Sequence, residues 1–216
     1  MRSSSHSASS SFRKIEREDE QEHDYDDEMI APEVLLQGYR LGVFPMAMED
    51  GAIEWFSPQK RGIIPLDRFH LPHGLQRTLR KRIFDLRIDT AFARVIRACA
   101  KREETWINGE IIRSYTRLHE LGQAHSVEAW QENKLVGGLY GVSLGGAFFG
   151  ESMFHEATDA SKVALHALVE HLRAQRFVLL DTQWLTPHLQ QFGAIEISRP
   201  QYMHLLGRAV ALERSF

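Results

Sequence analysis

The sequence places a polar pair at the end of an apolar strand. Residues 177–180 read Phe-Val-Leu-Leu, and Asp181, Thr182 and Gln183 follow them directly. Because strand side chains alternate between two faces, Asp181 and Gln183 are expected to point to the same side. A carboxylate and an amide at a strand exit can orient a nucleophile or move a proton. The pattern therefore predicts a reactive site, and a loop-capping Asp beside a solvent-facing Gln is the alternative.

Three further motifs precede this strand and extend the pattern. With the strand end they are Gly137-Gly138-Leu139-Tyr140-Gly141, Gly150-Glu151-Ser152-Met153-Phe154, Ala160-Ser161-Lys162 and Asp181-Thr182-Gln183. Together they resemble the leucyl/phenylalanyl-tRNA–protein transferase family, and the resemblance covers about residues 33–210. That bacterial family moves Leu or Phe from its tRNA onto proteins that begin with Arg or Lys. The resemblance also implies acceptance of Met and a role in marking proteins for degradation by the N-degron route.

The reaction that this resemblance implies is aminolysis of an ester. The amino acid is an activated ester on the terminal adenosine of the tRNA; an α-amine attacks its carbonyl and the ribose hydroxyl leaves. Conversion of an ester to an amide is downhill, so no ATP, metal or coenzyme is expected. An α-amino group has an unperturbed pKa of about 7.7–8.0. The enzyme must therefore chiefly position the amine and remove its proton.

The resemblance assigns Asp181 and Gln183 to the catalytic pair, in which Asp181 polarises the Gln183 amide and its oxygen draws the proton from the amine. A neutral amide is a poor base, so we expect Gln183 to hold the amine. Asp181, the ribose hydroxyl or water would then receive the proton. Glu151 matches an acid that binds the basic first residue of the acceptor by a charge-assisted hydrogen bond. An ion pair between Glu151 and Lys162 is the alternative.

The resemblance also implies residues that bind the tRNA substrate. Its apolar amino-acid pocket falls on six positions that are equally typical of a core: Leu139, Phe148, Met153, Leu168, Leu172 and Leu180. Trp106 matches a residue that stacks on the terminal adenine, and Met46 stands where the family has a second tryptophan. Four bases on one helix are candidates for the tRNA backbone, with a solvated face as the alternative: Arg77, Arg80, Lys81 and Arg82.

The chain divides into three predicted segments. Residues 1–30 are rich in Ser, carry nine acidic and four basic residues, and are predicted to be disordered. Residues 31–90 are predicted to form a small N-terminal α/β lobe. Residues 91–216 are predicted to begin with two helices, over residues 91–100 and 108–121. The order strand, strand, strand, helix, strand follows them and matches an acetyltransferase-like (GNAT-like) α+β domain with a mixed sheet splayed around a cleft. That domain is expected to be catalytic.

Local signals predict several connections. Glu132-Asn133 and Gly145-Gly146 are typical of tight hairpin turns. Pro65 cannot donate a backbone hydrogen bond, so the strand around Ile63 is predicted to lie at a sheet edge. Thr158, Asp159 or Ser161 is expected to cap a helix whose apolar stripe includes Leu165 and Leu168.

Composition excludes several classes of protein. The sequence has no run of about 18 apolar residues and no apolar stretch behind its N-terminus, so neither a membrane helix nor a secretory signal is expected. A lone Cys99 excludes an intramolecular disulfide and is predicted to be buried and inert. The spacing of His119 and His125 does not suit a zinc site. We expect a cytoplasmic monomer.

Two other functions fit parts of the sequence. An acyl-CoA-dependent N-acetyltransferase would share the fold, but it holds pyrophosphate on a glycine-rich turn before a helix. Residues 155–159 contain no Gly and two acids, which opposes that use. A non-catalytic RNA-binding module would not need the pair at Asp181 and Gln183.

Overall fold

A computed structural model describes residues 28–102 and 105–216. The helices in this part are α1 Pro32–Arg40, α2 His73–Lys81, α3 Phe92–Cys99, α4 Gly109–Glu120, α5 Ala160–Ala174, α6 Pro187–Gln190 and α7 Arg199–Val210. The strands are β1 Phe44–Ala47, β2 Ile53–Phe56, β3 Lys60–Ile64, β4 Asp85–Ile88, β5 Ala124–Gln131, β6 Lys134–Leu144, β7 Ala147–His155, β8 Leu179–Gln183 and β9 Ile195–Ser198. No helix among the described residues has the length and apolar character that crossing a bilayer requires.

The predicted disordered tail falls mostly outside the described residues, which begin at Glu28. The last part of that segment is tied to α4. The guanidinium of Arg113 donates to the carbonyl of Glu28 from Nε (3.1 Å) and Nη2 (2.9 Å), and the Ile30 amide donates to Ser114 Oγ at 2.8 Å. The prediction of disorder therefore does not hold for residues 28–30.

A mixed seven-stranded sheet with the order β4-β5-β6-β7-β8-β3-β9 organises the molecule, and β1 and β2 form a separate hairpin. All neighbours in the large sheet are antiparallel except β7 and β8. The sheet and its flanking helices confirm the α+β class. Both predicted hairpin turns are present: Glu132 and Asn133 have φ of 49° and 61°, and Gly145 has φ of 58°.

The parallel pair β7 and β8 separates along its length. Register is kept only over Ala147↔Leu179, Phe148↔Leu180 and Phe149↔Asp181. Beyond these pairs β7 continues to His155, while β8 continues to Gln183 in register with β3. The sheet therefore has a gap between its two halves, next to residues 150–153 and 182–183.

The expectation of an edge strand at Pro65 is wrong. The strand β3 lies between β8 and β9, with Ile63 paired to Asp181 on one side and Ile195 on the other. Pro65 follows the last residue of β3, so its missing N–H removes no bond from the ladder. Strands β3 and β4 come from the predicted N-terminal lobe yet belong to the large sheet. The division at residue 90 stays a prediction.

Two cores pack on the two faces of the sheet. The first joins α1, α3, α4 and α7 and includes Leu179; the second is built around α5 and includes Leu180. Alternation along β8 thus places Asp181 on the side of the first core. The strand β9 and the helix α7 were not predicted from the sequence.

Candidate active site

A cavity of about 480 Å³ occupies the gap between β7 and β8. Its walls include Gly150–Met153 of β7, Leu180 and Thr182–Trp184 around the end of β8, and the first turns of α5. This volume lies within the range of small-molecule sites, about 300–1,000 Å³. The predicted cleft is therefore present, and it is bounded by the motifs that the sequence singled out.

One wall of the cavity is apolar. Four of the six predicted pocket residues line it: Leu139, Met153, Leu168 and Leu180. Leu165, which was predicted only as part of the apolar stripe of its helix, and Leu189, for which no role was predicted, also contribute. Phe148 and Leu172 do not lie in the wall, and their assignment to the pocket is corrected. Phe148 is buried against Phe216, with ring centroids 5.1 Å apart, and Leu172 lies one turn beyond the part of α5 that faces the cavity.

Glu151 projects from β7 into the opposite, polar wall. Its Oε1 accepts hydrogen bonds from the Tyr39 hydroxyl at 2.7 Å and Gln183 Nε2 at 3.0 Å. The Tyr115 hydroxyl lies 3.4 Å from Oε2 and 2.5 Å from the Tyr39 hydroxyl. Burial raises the pKa of Glu151 to about 7, although the donors from Tyr39 and Gln183 favour its ionised form.

Glu151 forms no ion pair with a described residue. Lys162, the expected alternative partner, instead contacts Asp159 with 2.9 Å between Nζ and Oδ1. The carboxylate is therefore held by neutral donors alone. Such a group can still attract a positively charged ligand that enters the cavity.

Asp181 lies beneath this wall and does not line the cavity. Arg61 donates to Oδ1 from Nε at 2.9 Å and to Oδ2 from Nη2 at 2.8 Å. The Tyr202 hydroxyl donates to Oδ2 at 2.6 Å, and the Gln183 backbone N–H donates to Oδ1 at 2.8 Å. Both Arg61 and Asp181 are at most 1 % exposed. This buried ion pair therefore holds the backbone of Gln183 below the polar wall of the cavity.

Gln183 reaches the cavity through a tight turn. Its φ is +63°, and the Trp184 N–H donates to the Thr182 carbonyl at 2.7 Å across it, which forms a γ-turn. Gly62 makes this turn possible, because a Cβ there would lie 2.5 Å from the Trp184 carbonyl carbon. Asp181 and Gln183 both reach partners on the side of the first core, but only Gln183 meets the cavity.

Two protein-family models match this chain. Residues 63–207 match the family model described as leucyl/phenylalanyl-tRNA protein transferase, and residues 28–59 match that of its N-terminal domain. The chain belongs to the leucyl/phenylalanyl-tRNA–protein transferase family. Members are aminoacyltransferases that move Leu or Phe from aminoacyl-tRNA to an N-terminal Arg or Lys of proteins.

Curated relatives carry the same family name. The leucyl/phenylalanyl-tRNA–protein transferase of Akkermansia muciniphila is 58 % identical over 186 residues, which are 84 % of this chain and 96 % of that protein. The protein of Herpetosiphon aurantiacus is 56 % identical, over 87 % of this chain and 98 % of its own. Among solved structures, L-PGS from Bacillus licheniformis aligns at 12 % identity over 70 % of this chain and 65 % of that one. The TM-score of this alignment is 0.43.

In this member of the transferase family, the cavity has two tryptophans in its wall. Trp106, a predicted adenine contact, is half-buried there. Met46 is not in the wall; it lies on β1, whose Ala47 N–H donates to the Trp106 carbonyl at 3.1 Å. Trp184 lines the cavity, is 39 % exposed and packs edge-on against Phe44 with centroids 4.9 Å apart. The sequence analysis missed Trp184, although its place directly after Gln183 was a usable signal.

The basic cluster lies on and just after α2. Its four residues are exposed and form no ion pair with a described residue: Arg77, Arg80, Lys81 and Arg82. Thr78 Oγ1 donates to Asp159 Oδ2 at 2.8 Å, which ties α2 to the start of α5 beside the cavity. The bases are therefore free to contact a polyanion that enters from this side.

Two further expectations concern cysteine and metal. The predicted burial of Cys99 is confirmed, and burial raises the pKa of its thiol to about 12, which disfavours the reactive thiolate. The part of the chain that the structure describes contains no group of three or more His, Cys, Asp or Glu suited to a metal ion.

Proposed function

We propose that this protein transfers Leu, Phe or Met from aminoacyl-tRNA to the α-amino group of proteins that begin with Arg or Lys, marking them for degradation by the N-degron route. The observation that carries the proposal is the cavity at the sheet gap, which pairs an apolar wall with the buried Glu151–Gln183 pair. The separation of β7 from β8 also supports an acetyltransferase-like arrangement of this catalytic half.

The apolar wall suits the transferred side chain. Burying a Leu, Phe or Met side chain there stabilises the bound ester by about 1.5–3 kcal/mol. Leu139, Leu168 and Leu180 supply a surface without hydrogen-bonding groups. Charged and amide side chains are disfavoured because they would lose their hydration without replacement.

The polar wall suits the acceptor. A protein that begins with Arg or Lys carries one positive charge on its α-amino group and another on its first side chain. Glu151 offers a buried carboxylate to this doubly charged residue, and Gln183 can accept a hydrogen bond from the amine. Selection of basic acceptors follows from the charge of Glu151.

Asp181 acts as a positioning residue in this proposal. It holds the backbone of Gln183 by the 2.8 Å bond to the Gln183 N–H, while Arg61 balances its charge. Because Asp181 does not reach the cavity, it neither touches the amine nor receives its proton. Ordered placement of Gln183 is its contribution to the rate.

The nucleic acid is held at two places. The terminal adenine stacks on the two tryptophans of the cavity wall, Trp106 and Trp184. Met46 packs against the same core as Trp106 and supports this region without lining the cavity. The basic side chains on α2 contact phosphates of the acceptor stem, beside the cavity. The protein works without a cofactor, as a monomer, in the cytoplasm, where charged tRNA is found.

The deciding experiment measures transfer of labelled Leu from charged tRNA to a peptide that begins with Arg. The same peptide with an acetylated N-terminus and a peptide that begins with Ala serve as controls, and both should remain unlabelled. Acetyl-CoA is tested as an alternative donor. Acetylation without leucyl transfer would support the N-acetyltransferase alternative, and loss of preference for Arg or Lys would contradict the assignment of acceptors.

A further inference from the structure

We infer that Glu151 accepts the proton that the acceptor's α-amino group loses as it attacks the ester, an inference that rests on the proposed transfer reaction. Ester aminolysis needs a group that takes this proton within hydrogen-bond reach of the amine. The polar wall of the cavity contains one carboxylate among its described residues, and that carboxylate belongs to Glu151.

The two other groups at the end of β8 are poor acceptors. Asp181 receives donors on both oxygens from Arg61, Tyr202 and the Gln183 N–H, and it is fully buried outside the cavity wall. A proton placed on Asp181 would remove the charge that balances Arg61. Gln183 is a neutral amide and donates a hydrogen bond from Nε2 to Glu151. Its free oxygen can orient the amine but cannot keep a proton.

Glu151 has the electrostatic surroundings of a base that works near neutral pH. The titratable and charged groups that face it come from five elements: Tyr39 of α1, Tyr115 of α4, Tyr140 of β6, Arg61 of β3 and Asp181 of β8. Burial and Asp181 disfavour the carboxylate, while Tyr39, Gln183 and Arg61 favour it. The resulting pKa of about 7 lies close to that of an α-amino group, which suits reversible proton transfer.

The geometry of the donors leaves room for this proton. Oε1 is occupied by Tyr39 and Gln183 at 2.7 and 3.0 Å, whereas Oε2 has only the Tyr115 hydroxyl at 3.4 Å. Tyr115 is already bound to the Tyr39 hydroxyl at 2.5 Å. Oε2 is therefore the oxygen that receives the proton, while the two tyrosines and Gln183 keep the carboxyl group in place.

The step balances without a further reactant. The amine nitrogen forms a bond to the ester carbonyl carbon, and the bond from that carbon to the ribose oxygen breaks. The proton leaves nitrogen for Glu151 and then passes to the departing ribose oxygen. Glu151 ends the cycle ionised, and no electrons are exchanged with any other group.

The test compares Glu151→Gln with the wild type in single-turnover transfer at saturating acceptor. We expect the maximal rate to fall about 100-fold or more. The wild-type rate should rise with pH through an acidic limb near 7, and Glu151→Gln should lose that limb. Glu151→Asp should recover part of the rate. An unchanged maximal rate with only a raised KM for the acceptor would show that Glu151 binds and does not take the proton.

A second measurement does not depend on transfer activity. Infrared difference spectra of the free protein between about pH 6 and pH 8 should show a carboxylic acid band that titrates near 7 and is absent in Glu151→Gln. A carboxyl group that stays ionised across this range would overturn the inference. If the wild type shows this band but does not transfer Leu, the proposed function fails while the protonation of Glu151 stands.

Discussion

The guanidinium of Arg61 donates to both oxygens of Asp181, at 2.9 Å from Nε and 2.8 Å from Nη2, across 120 residues of chain. The pair joins β3 to β8 and lies below the turn that presents Gln183. The rings of Phe44 and Tyr202 each lie 4.6 Å from the guanidinium carbon. The guanidinium therefore fixes the carboxylate that holds the backbone of the active-site turn.

Arg61→Met should destabilise the fold strongly. The change leaves the Asp181 charge buried without a partner, which costs about 3–5 kcal/mol. Lys60→Ala is a matched control, since Lys60 is exposed and lies 3.7 Å from Glu196, a pair worth about 0.2–1 kcal/mol. Urea unfolding measures both free energies. Equal losses in the free energy of unfolding would show that the buried ion pair stabilises the fold no more than the exposed one.

Much of this fold follows from the sequence, but the pairing of Arg61 with Asp181 does not. Alternation and turn signals predict β5, β6 and β7 because those signals are local. Which strand lies beside β8 depends on contacts between distant residues, so β3 was wrongly expected at an edge. A charged residue before Gly62-Ile63-Ile64 was the available signal for Arg61.

The candidate site shows the same limit. Motifs indicated Glu151 and Gln183, but Tyr39 and Tyr115 reach Glu151 from 112 and 36 residues away. The apolar pattern predicts that Phe148 and Leu180 are both buried, and both are. Leu180 lines the cavity and Phe148 does not, and this difference depends on where β7 and β8 separate.

Glu151→Gln should change the dependence of stability on pH. Folding raises the pKa of Glu151 from 4.5 to about 7, so the folded state favours its protonated form. Its contribution to the free energy of unfolding is fully present below about 4.5 and is lost as pH rises to about 7. Glu151→Gln should therefore gain stability relative to the wild type across that window, by a few kcal/mol at about 1.36 kcal/mol per unit of pKa. Denaturant unfolding at several pH values tests this, and a constant difference would contradict it.

Tyr39→Phe should move the pH profile of transfer. The substitution removes the 2.7 Å hydrogen bond that stabilises the ionised form of Glu151, so the pKa of Glu151 should rise further. The acidic limb of the rate profile should shift to higher pH. Tyr115→Phe removes the 3.4 Å contact with Oε2 and the 2.5 Å hydrogen bond with the Tyr39 hydroxyl, but it leaves the bond from Tyr39 to Oε1 in place, so it should shift the limb less. If the acidic limb stays at the same pH in Tyr39→Phe, the limb does not report the titration of Glu151.

Charge reversal on α2 should weaken tRNA binding in a salt-dependent way. The logarithm of affinity should fall against the logarithm of salt concentration with a slope of about −2 to −3 if about three phosphates are contacted. Arg80→Glu with Arg82→Glu should flatten this slope by about 1.5. Arg97→Glu with Arg208→Glu changes the net charge equally at exposed positions on other helices and should alter it less. Equal slopes in both double variants would place the RNA elsewhere.

Trp184 should contribute to binding of the terminal adenosine. Stacking of a base on an aromatic side chain is worth about 1–3 kcal/mol, so Trp184→Leu should weaken binding of an aminoacyl-adenosine analogue by about 5-fold to 150-fold. Trp106→Ala should weaken it comparably. Trp55 is a matched control because it is also 39 % exposed but lies over Gly38 of α1, away from the cavity.

Calorimetry with the analogue separates these outcomes. Trp55→Leu should leave the dissociation constant nearly unchanged, and so should Met46→Leu, because Met46 does not line the cavity. A large loss in Met46→Leu with none in Trp184→Leu would return the second stacking contact to position 46. Such a result would require Met46 to contact the bound base directly from β1, whose Ala47 N–H donates to the Trp106 carbonyl.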